Sequence, residues 1–359
     1  MSEDIYKRLA RMLDSMPSGF PETPEGTEIK ILKKVFTPEE GEIFCDLKLT
    51  FETPEQIALR TGRDAGELAD QLHSMWKRGQ VFMVDFGTTK VYKALPWVFG
   101  IFEFQLDRMD RELAQLCEDY SPAFAPQFFE NKPQLMQVLP VEKDIPGTHE
   151  ALAYEQVSSL IEGGQSFAVA QCICKQEKNL LDHGCDKPQE ICMGIAPIPG
   201  VFENHHWGRP ISKEEAYAKL QESEDGALVH LTWNIQNGHF YICNCCGCCC
   251  GVLRSITEHG IRGAVNSAFY AVIDPDECVA CGICADERCQ VGAIEEGEDA
   301  YVIIKEKCIG CGLCISTCAT EAISLVRKEA SEIVIPPATE DQWFEDRAQN
   351  TGRDMGPFK

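Results

Sequence analysis

No window of the chain reaches the roughly 18 uninterrupted apolar residues that a membrane span needs, and the start, MSEDIYKRLARMLDSMPSGF, has no basic stretch followed by an apolar one. No membrane span and no leader are therefore expected, which places the protein in the cytoplasm. Positive charge is also scarce: 33 Lys and Arg face 57 Asp and Glu, a formal net charge of −24. That balance argues against nucleic acid and anionic lipid and suits docking onto a basic partner. Missing too are a nucleophile elbow, a phosphate-binding glycine loop and any flavin or nicotinamide fingerprint. Without a hydride cofactor of its own, such a chain passes single electrons unless a metal centre in it hosts chemistry.

What the chain has in excess is cysteine, 20 in 359 residues. Under the reducing conditions of a cytoplasm, clustered thiols point to metal or redox groups rather than disulfides. Hydrophobic content of 44% and charged content of 25% are those of a globular protein, and the length suits two or three domains.

The expected fold class is α+β, with five segments. Residues 1–95 read as a winged-helix-like domain: PEQIALRTG as a helix ending at Gly62, DAGELADQLHSMWKRG as a helix burying Leu68, Leu72, Met75 and Trp76, then two strands around Gly87. The second helix begins with Asp64, Glu67 and Asp70 and keeps Lys77 and Arg78 at its far end, so it would repel phosphate. A protein-contact role is the better reading. Residues 96–137 read as a helical connector, with Phe102, Phe104 and Leu106 as core and Cys117, like the earlier Cys45, as an isolated buried thiol.

Residues 138–271 read as a cysteine-rich mixed α/β domain: a helix after Thr148, a strand in SFAVAQCICK, a helix whose Ser212 and Glu215 form a capping box, and two strands flanking a turn at Asn237 and Gly238. Residues 272–327 carry two further cysteine runs, and residues 328–359 read as an extended tail.

The most specific signal is the internal repeat CVACGICADERC and CIGCGLCISTC, giving Cys278, Cys281, Cys284 and Cys289, then Cys308, Cys311, Cys314 and Cys318. A C-x2-C-x2-C run lets one tight loop present three thiolates to one face of a cubane, with Gly282 and Gly312 letting backbone amides approach the sulfurs. The runs resemble the bacterial two-cluster ferredoxins over roughly fifty residues. The resemblance implies that Cys278, Cys281, Cys284 and Cys318 bind one [4Fe-4S] cluster and that Cys308, Cys311, Cys314 and Cys289 bind a second. Two features depart from it: four residues, not three, precede Cys289, and Gln290 and Ala319 stand where proline usually follows the fourth cysteine. Paired CxxC motifs also suit zinc, but tandem triple runs are a cubane pattern.

The middle domain offers ten more candidate ligands. Cys172, Cys174, Cys185 and Cys192 lie in QCICKQEKNLLDHGCDKPQEIC, enough for one cubane; Cys243, Cys245, Cys246, Cys248, Cys249 and Cys250 crowd into CNCCGCCC. In an extended chain Cys243 and Cys245 would face one way and Cys246, Cys248 and Cys250 the other, with Gly247 and Gly251 giving the backbone freedom to wrap. One additional cubane, two clusters, an unusual noncubane cluster or a zinc site are the readings open here. CCG within NCCGCCCG is similar to the cysteine-rich domains of heterodisulfide reductases, whose noncubane clusters act on disulfides. Through AVAQCICK, GCDKPQEIC, NCCGCCCG and the two runs, the whole chain resembles a family of anaerobe 4Fe-4S binding proteins with a cysteine-rich middle domain and a two-cluster ferredoxin domain, described only as iron–sulfur binding. His205 and His206 read as surface or structural histidines before ligands or proton donors.

The reading that follows is an electron-transfer component of an oxidoreductase system. Two [4Fe-4S] clusters relay single electrons between a redox protein partner and a further metal centre, iron–sulfur or zinc, in the middle domain. A reductase working at that centre, or a redox-sensing winged-helix regulator, are the alternatives. Acidic Asp276, Glu277, Asp286 and Glu287 near the first run are expected to favour the oxidised form.

Overall fold

A computed structural model of the chain describes residues 4–141, 152–203, 205 and 207–359. They form a mixed α+β protein with three two-stranded sheets and one of seven strands. The chain divides into two compact units: the described residues of Met1–Asn131 with Gln176–His183 and Phe344–Lys359, and those of Lys132–Lys175 with Gly184–Trp343.

The first unit opens with α1 (Ile5–Ser15), α2 (Thr27–Val35), α3 (Pro38–Phe44), α4 (Pro54–Thr61) and α5 (Ala65–Lys77), then the hairpin β1 (Val81–Asp85) and β2 (Lys90–Ala94), and later α6 (Arg111–Phe129). Local chemistry fixes the ends. Thr53 and Gln56 form a reciprocal capping box at α4, Pro54 takes the first position, and Gly62 ends the helix at φ 77°. Asp64 accepts the amides of Gly66 and Glu67 at the start of α5, which buries Leu68, Leu72, Met75 and Trp76, the stripe read from the sequence. Of the three expected core residues after Leu95, Phe102 is buried while Phe104 and Leu106 are half-buried. Cys45 and Cys117 are half-buried, and burial pushes the Cys45 thiol up to about 11 and Cys117 well up, so neither is a ready thiolate.

In the second unit the large sheet runs β6 (Arg209–Ile211), β4 (Ser166–Gln171), β5 (Glu190–Ala196), β8 (Tyr241–Cys245), β7 (Val229–Trp233), β3 (Met136–Leu139) and β9 (Val265–Asn266). Every pairing is antiparallel except β3 with β9. The helices α7 (Val157–Gly163), α8 (Ile173–Leu180), α9 (Lys213–Asp225) and α10 (Gly251–Thr257) lie between the strands in sequence. Phe167 and Val169 of β4, Met193 and Ile195 of β5 and Ile242 of β8 share one core with Val157 and Ile161 of α7 and Ala216 and Leu220 of α9. Strand alternation then sends Cys192, Cys243 and Cys245 to the opposite face. The sheet's parity has sorted thiols from core.

Two expectations meet a different structure, and a third lies partly outside the described residues. Residues 142–151, the start of the helix expected after Thr148, and His206 lie outside the described residues; α7 begins at Val157. Ser212 caps α9 by accepting the Glu215 amide, but the Glu215 carboxylate is engaged by Arg209 at 2.6 Å instead of closing the box. The segment after Arg327, read as extended, contains α11 (Glu340–Thr351), because Trp343, Phe344, Arg347 and Ala348 are buried.

The remaining strands, β10 (Phe269–Ile273) with β13 (Ile323–Arg327) and β11 (Ile294–Glu296) with β12 (Tyr301–Ile303), frame the two cysteine runs. Among the described residues no helix is long and apolar enough to cross a membrane.

Candidate metal centre

The ten middle-domain thiols do not form one pool. Cys185, Cys246, Cys248 and Cys249 gather with all four sulfurs within 4.8 Å of one another. The Sγ–Sγ separations are 3.9 Å for Cys185–Cys246, 3.7 Å for Cys185–Cys249 and 3.8 Å for Cys248–Cys249.

The other six close a ring. Cys172 interacts with Cys174 and Cys192, Cys174 with Cys250, Cys250 with Cys245, Cys245 with Cys243, and Cys243 with Cys192. The backbone explains the set. The β5–β8 register pairs Met193 with Ile242, and carrying it one step on sets Cys192 beside Cys243. Cys245 follows two positions along the same strand face. Cys172 sits between β4 and α8, Cys174 lies in the first turn of α8, and Cys250 is the residue before α10. Interaction with Cys174 is the first cause holding the Cys172 and Cys250 thiols well down, aided by the amides of Lys175 and Leu253 respectively.

Strand parity therefore misassigns Cys250 and leaves Cys249 out. The chain leaves the strand at Cys245, turns through Gly247 and enters α10, so Cys246, Cys248 and Cys249 face Cys185 while Cys250 returns to Cys243 and Cys245. The upstream four likewise divide, Cys185 to the tetrad and Cys172, Cys174 and Cys192 to the ring. Gly247 serves a close approach: a Cβ there would stand 2.2 Å from the Gln290 carbonyl oxygen. A Cβ at Gly251 would meet open space, so no contact demands glycine there.

Two residues that motif reading passed over organise this region. Lys175 is fully buried, donates to the Pro188 carbonyl, and lowers Cys172 of the ring and Cys246 of the tetrad by its charge. Contact with Cys249 comes first among the causes bringing Cys246 down to about 6. The signal for Lys175 was a cation directly after the thiol pair in CICK. Asn244, between Cys243 and Cys245, lies 2.5 Å from Nδ1 of buried His230 and donates to the Ile191 carbonyl at 2.6 Å, pinning β8 to both neighbours. His205 is buried and accepts the Trp207 amide at 3.0 Å through Nδ1.

In the ferredoxin-like region the sulfurs are served by backbone. The Ala271 amide donates to Cys308 Sγ at 3.4 Å and the Ala293 amide to Cys289 Sγ at 3.1 Å. Burial raises Cys318, but the Thr320 hydroxyl and the amides of Ala322, Thr320 and Ile323 more than offset it, leaving that thiol lowered. Burial pushes Cys311 up to about 12 and Cys314 higher. The charges acting on Cys314 are those of Cys311, Cys308, Cys289 and Cys284, so Cys289 of the first run is an electrostatic neighbour of the second. Cys284 has Cys281 and Cys278 as its thiol neighbours. Cys281 is exposed. Eight thiols, of which Cys289, Cys308 and Cys318 have amide donors aimed at sulfur, are a donor set that fits iron–sulfur clusters, because such bonds stabilise the thiolate and tune potential.

The two cysteine regions touch. Gln290 Oε1 accepts the Gly247 amide at 3.0 Å. Buried Arg288 reaches the carbonyls of Leu313, Glu224 and Asp225 and the Ser316 hydroxyl, and the Val141 amide donates to the Cys311 carbonyl at 3.0 Å.

A family model described as a 4Fe-4S binding domain matches residues 301–324, which hold Cys308, Cys311, Cys314 and Cys318. Neither the curated proteins nor the solved structures contain a match. The matched domain implies a [4Fe-4S] cluster and iron–sulfur electron transfer, and the middle cysteine group marks a metal site.

Proposed function

We propose that the protein is a single-electron relay. Two [4Fe-4S] clusters, one on Cys278, Cys281, Cys284 and Cys318 and one on Cys308, Cys311, Cys314 and Cys289, exchange electrons with a further centre on the six-thiol ring of the middle domain. Each cluster would supply one-electron redox chemistry. The observation that carries the reading is the Gln290–Gly247 hydrogen bond, which joins the residue after Cys289 to the turn between Cys246 and Cys248. Thiols for both ends of a relay thus lie in one compact unit, and this contact links their loops.

The protein's own residues have definite tasks in this reading. Amides of Ala271 and Ala293 hold negative charge on Cys308 and Cys289. Lys175 offsets thiolate charge in the dry middle domain. Asp276, Glu277, Asp286 and Glu287 are exposed, so their preference for the oxidised form is screened by solvent and salt. The N-terminal helices and hairpin serve protein contact in the manner of a winged helix, and the partner is a redox protein with a basic face.

The test is anaerobic purification followed by iron and acid-labile sulfide analysis and a redox titration. More than about eight irons per chain, with matching sulfide, is expected, since two cubanes account for about eight. About four would remove the two-cluster reading. About eight would remove the iron–sulfur centre from the ring and end the relay there.

A further inference from the structure

The tetrad and the ferredoxin-like thiols differ in the way that separates one metal ion from several. Four thiolates on one tetrahedral ion at bonds of about 2.3 Å stand about 3.8 Å apart along each edge. Three of the six separations at the tetrad are 3.7, 3.8 and 3.9 Å, and the others lie within 4.8 Å. A cubane hangs each thiolate on a different iron and needs its ligands farther apart. The ferredoxin-like sulfurs take their hydrogen bonds from amides and from Thr320, and among the described residues no two of those eight are hydrogen-bonded to each other.

The donor set points the same way. It is four sulfurs with no carboxylate or imidazole among them, a soft and closed set of the structural kind. Adjacent Cys248 and Cys249 both turn inward, which a single ion at the centre of a tight turn accommodates. Cys185 comes from another segment, its carbonyl held by the Gln189 side chain at 3.0 Å. The tetrad thus clips the loop before β5 to the turn after β8. Four thiolates on a dication leave negative charge in excess, and the buried Lys175 ammonium beside Cys246 offsets part of it.

We propose that Cys185, Cys246, Cys248 and Cys249 bind a single zinc ion. It is a structural clip, and the ring remains as a separate site. Zinc takes no part in redox chemistry. Its role is to fix the turn that carries Gly247, and so the contact with Gln290 and the placement of Cys245 and Cys250.

The experiment measures zinc, iron and sulfide on the full chain purified without oxygen, with X-ray absorption at the zinc edge on the same sample. About one zinc per chain with four sulfur neighbours at about 2.3 Å is expected. The double variant C248S/C249S should lose that zinc and keep the iron of the unmodified chain. Absence of zinc, zinc bound mainly by oxygen or nitrogen, or loss of iron instead of zinc from the double variant would each overturn the proposal. If the variant does not fold, the absorption spectrum of the unmodified protein decides alone. Failure of the relay reading is distinguishable, because it appears in the iron and sulfide counts whatever the zinc result.

Discussion

The two cysteine-rich regions solve the problem of holding thiolates in opposite ways. In the ferredoxin-like region sulfurs are met by backbone: amides of Ala271, Ala293 and Ala322 reach Cys308, Cys289 and Cys318. In the middle domain the sulfurs are met chiefly by one another, in a ring of six and a tetrad, with one buried lysine acting on both. The first arrangement is mostly local, built from two loops that each carry three closely spaced cysteines. The second is assembled by a sheet register, a helix start and a turn, and exists only once the domain has folded.

The sharpest way to break that comparison is to exchange partners across the two runs. Cys289→Ser and Cys311→Ser are each expected to cost about four irons and to leave the same residual EPR spectrum on reduction, whereas Cys278→Ser leaves the complementary one. If Cys289→Ser instead matches Cys278→Ser, the ligands are not exchanged between runs. Next in size is Lys175→Met, which strips the one cation that acts on both middle-domain sets. Removing one partner of a buried charged group costs about 3–5 kcal/mol, so the denaturation midpoint of the metal-loaded protein should fall steeply. A shift under about 1 kcal/mol would mean that the thiols need no such counter-charge.

How much of this was legible beforehand follows the same division. Leu68, Leu72, Met75 and Trp76 fell on the buried stripe of α5 because helical period and burial agree there. The second C-x2-C-x2-C run was readable because its spacing is local, and the 4Fe-4S domain model matches it. Cys250 was misplaced because period-two parity was carried past Cys245, where the strand ends. Lys175 was passed over because a buried lysine carries no periodic signature, and its place after the thiol pair in CICK was the one cue. Only packing reveals that it acts on thiols from two segments, Cys172 and Cys246. The helix within the expected tail was missed because its buried residues are few and include Arg347, which donates to carbonyls of Pro17 and Asn131.

A smaller effect concerns acid. Burial lowers His239 from its ordinary 6.5 to about 4, with its Nδ1 3.1 Å from the Thr232 hydroxyl. A base whose folded-state value lies below its unfolded value favours folding above pH 6.5, and that stability is lost as pH falls toward 4, because the unfolded chain takes up the proton first. The loss reaches about 3 kcal/mol at the acid end. His239→Gln is expected to flatten the stability profile between pH 6.5 and 4 relative to the unmodified protein at equal metal content. An unchanged slope would assign the acid sensitivity elsewhere.

The smallest expected effect tests the joint between the two regions. Gln290 occupies the place where two-cluster ferredoxins usually carry proline, and here its side chain accepts the half-buried Gly247 amide. Gln290→Pro restores the usual residue to the cluster loop while orphaning that amide, a cost of about 1–3 kcal/mol. The iron and sulfide of the ferredoxin-like region should be unchanged, since the Cys289 sulfur keeps its bond from Ala293. What should fall is the rate at which electrons entering one region appear in the other, measured by rapid-mixing reduction. Gln290→Glu, which keeps an acceptor, should recover most of that rate. If Gln290→Pro exchanges electrons as fast as the unmodified chain, the contact is packing alone, and on the relay reading the route between the regions runs instead through another contact such as Arg288 or Val141.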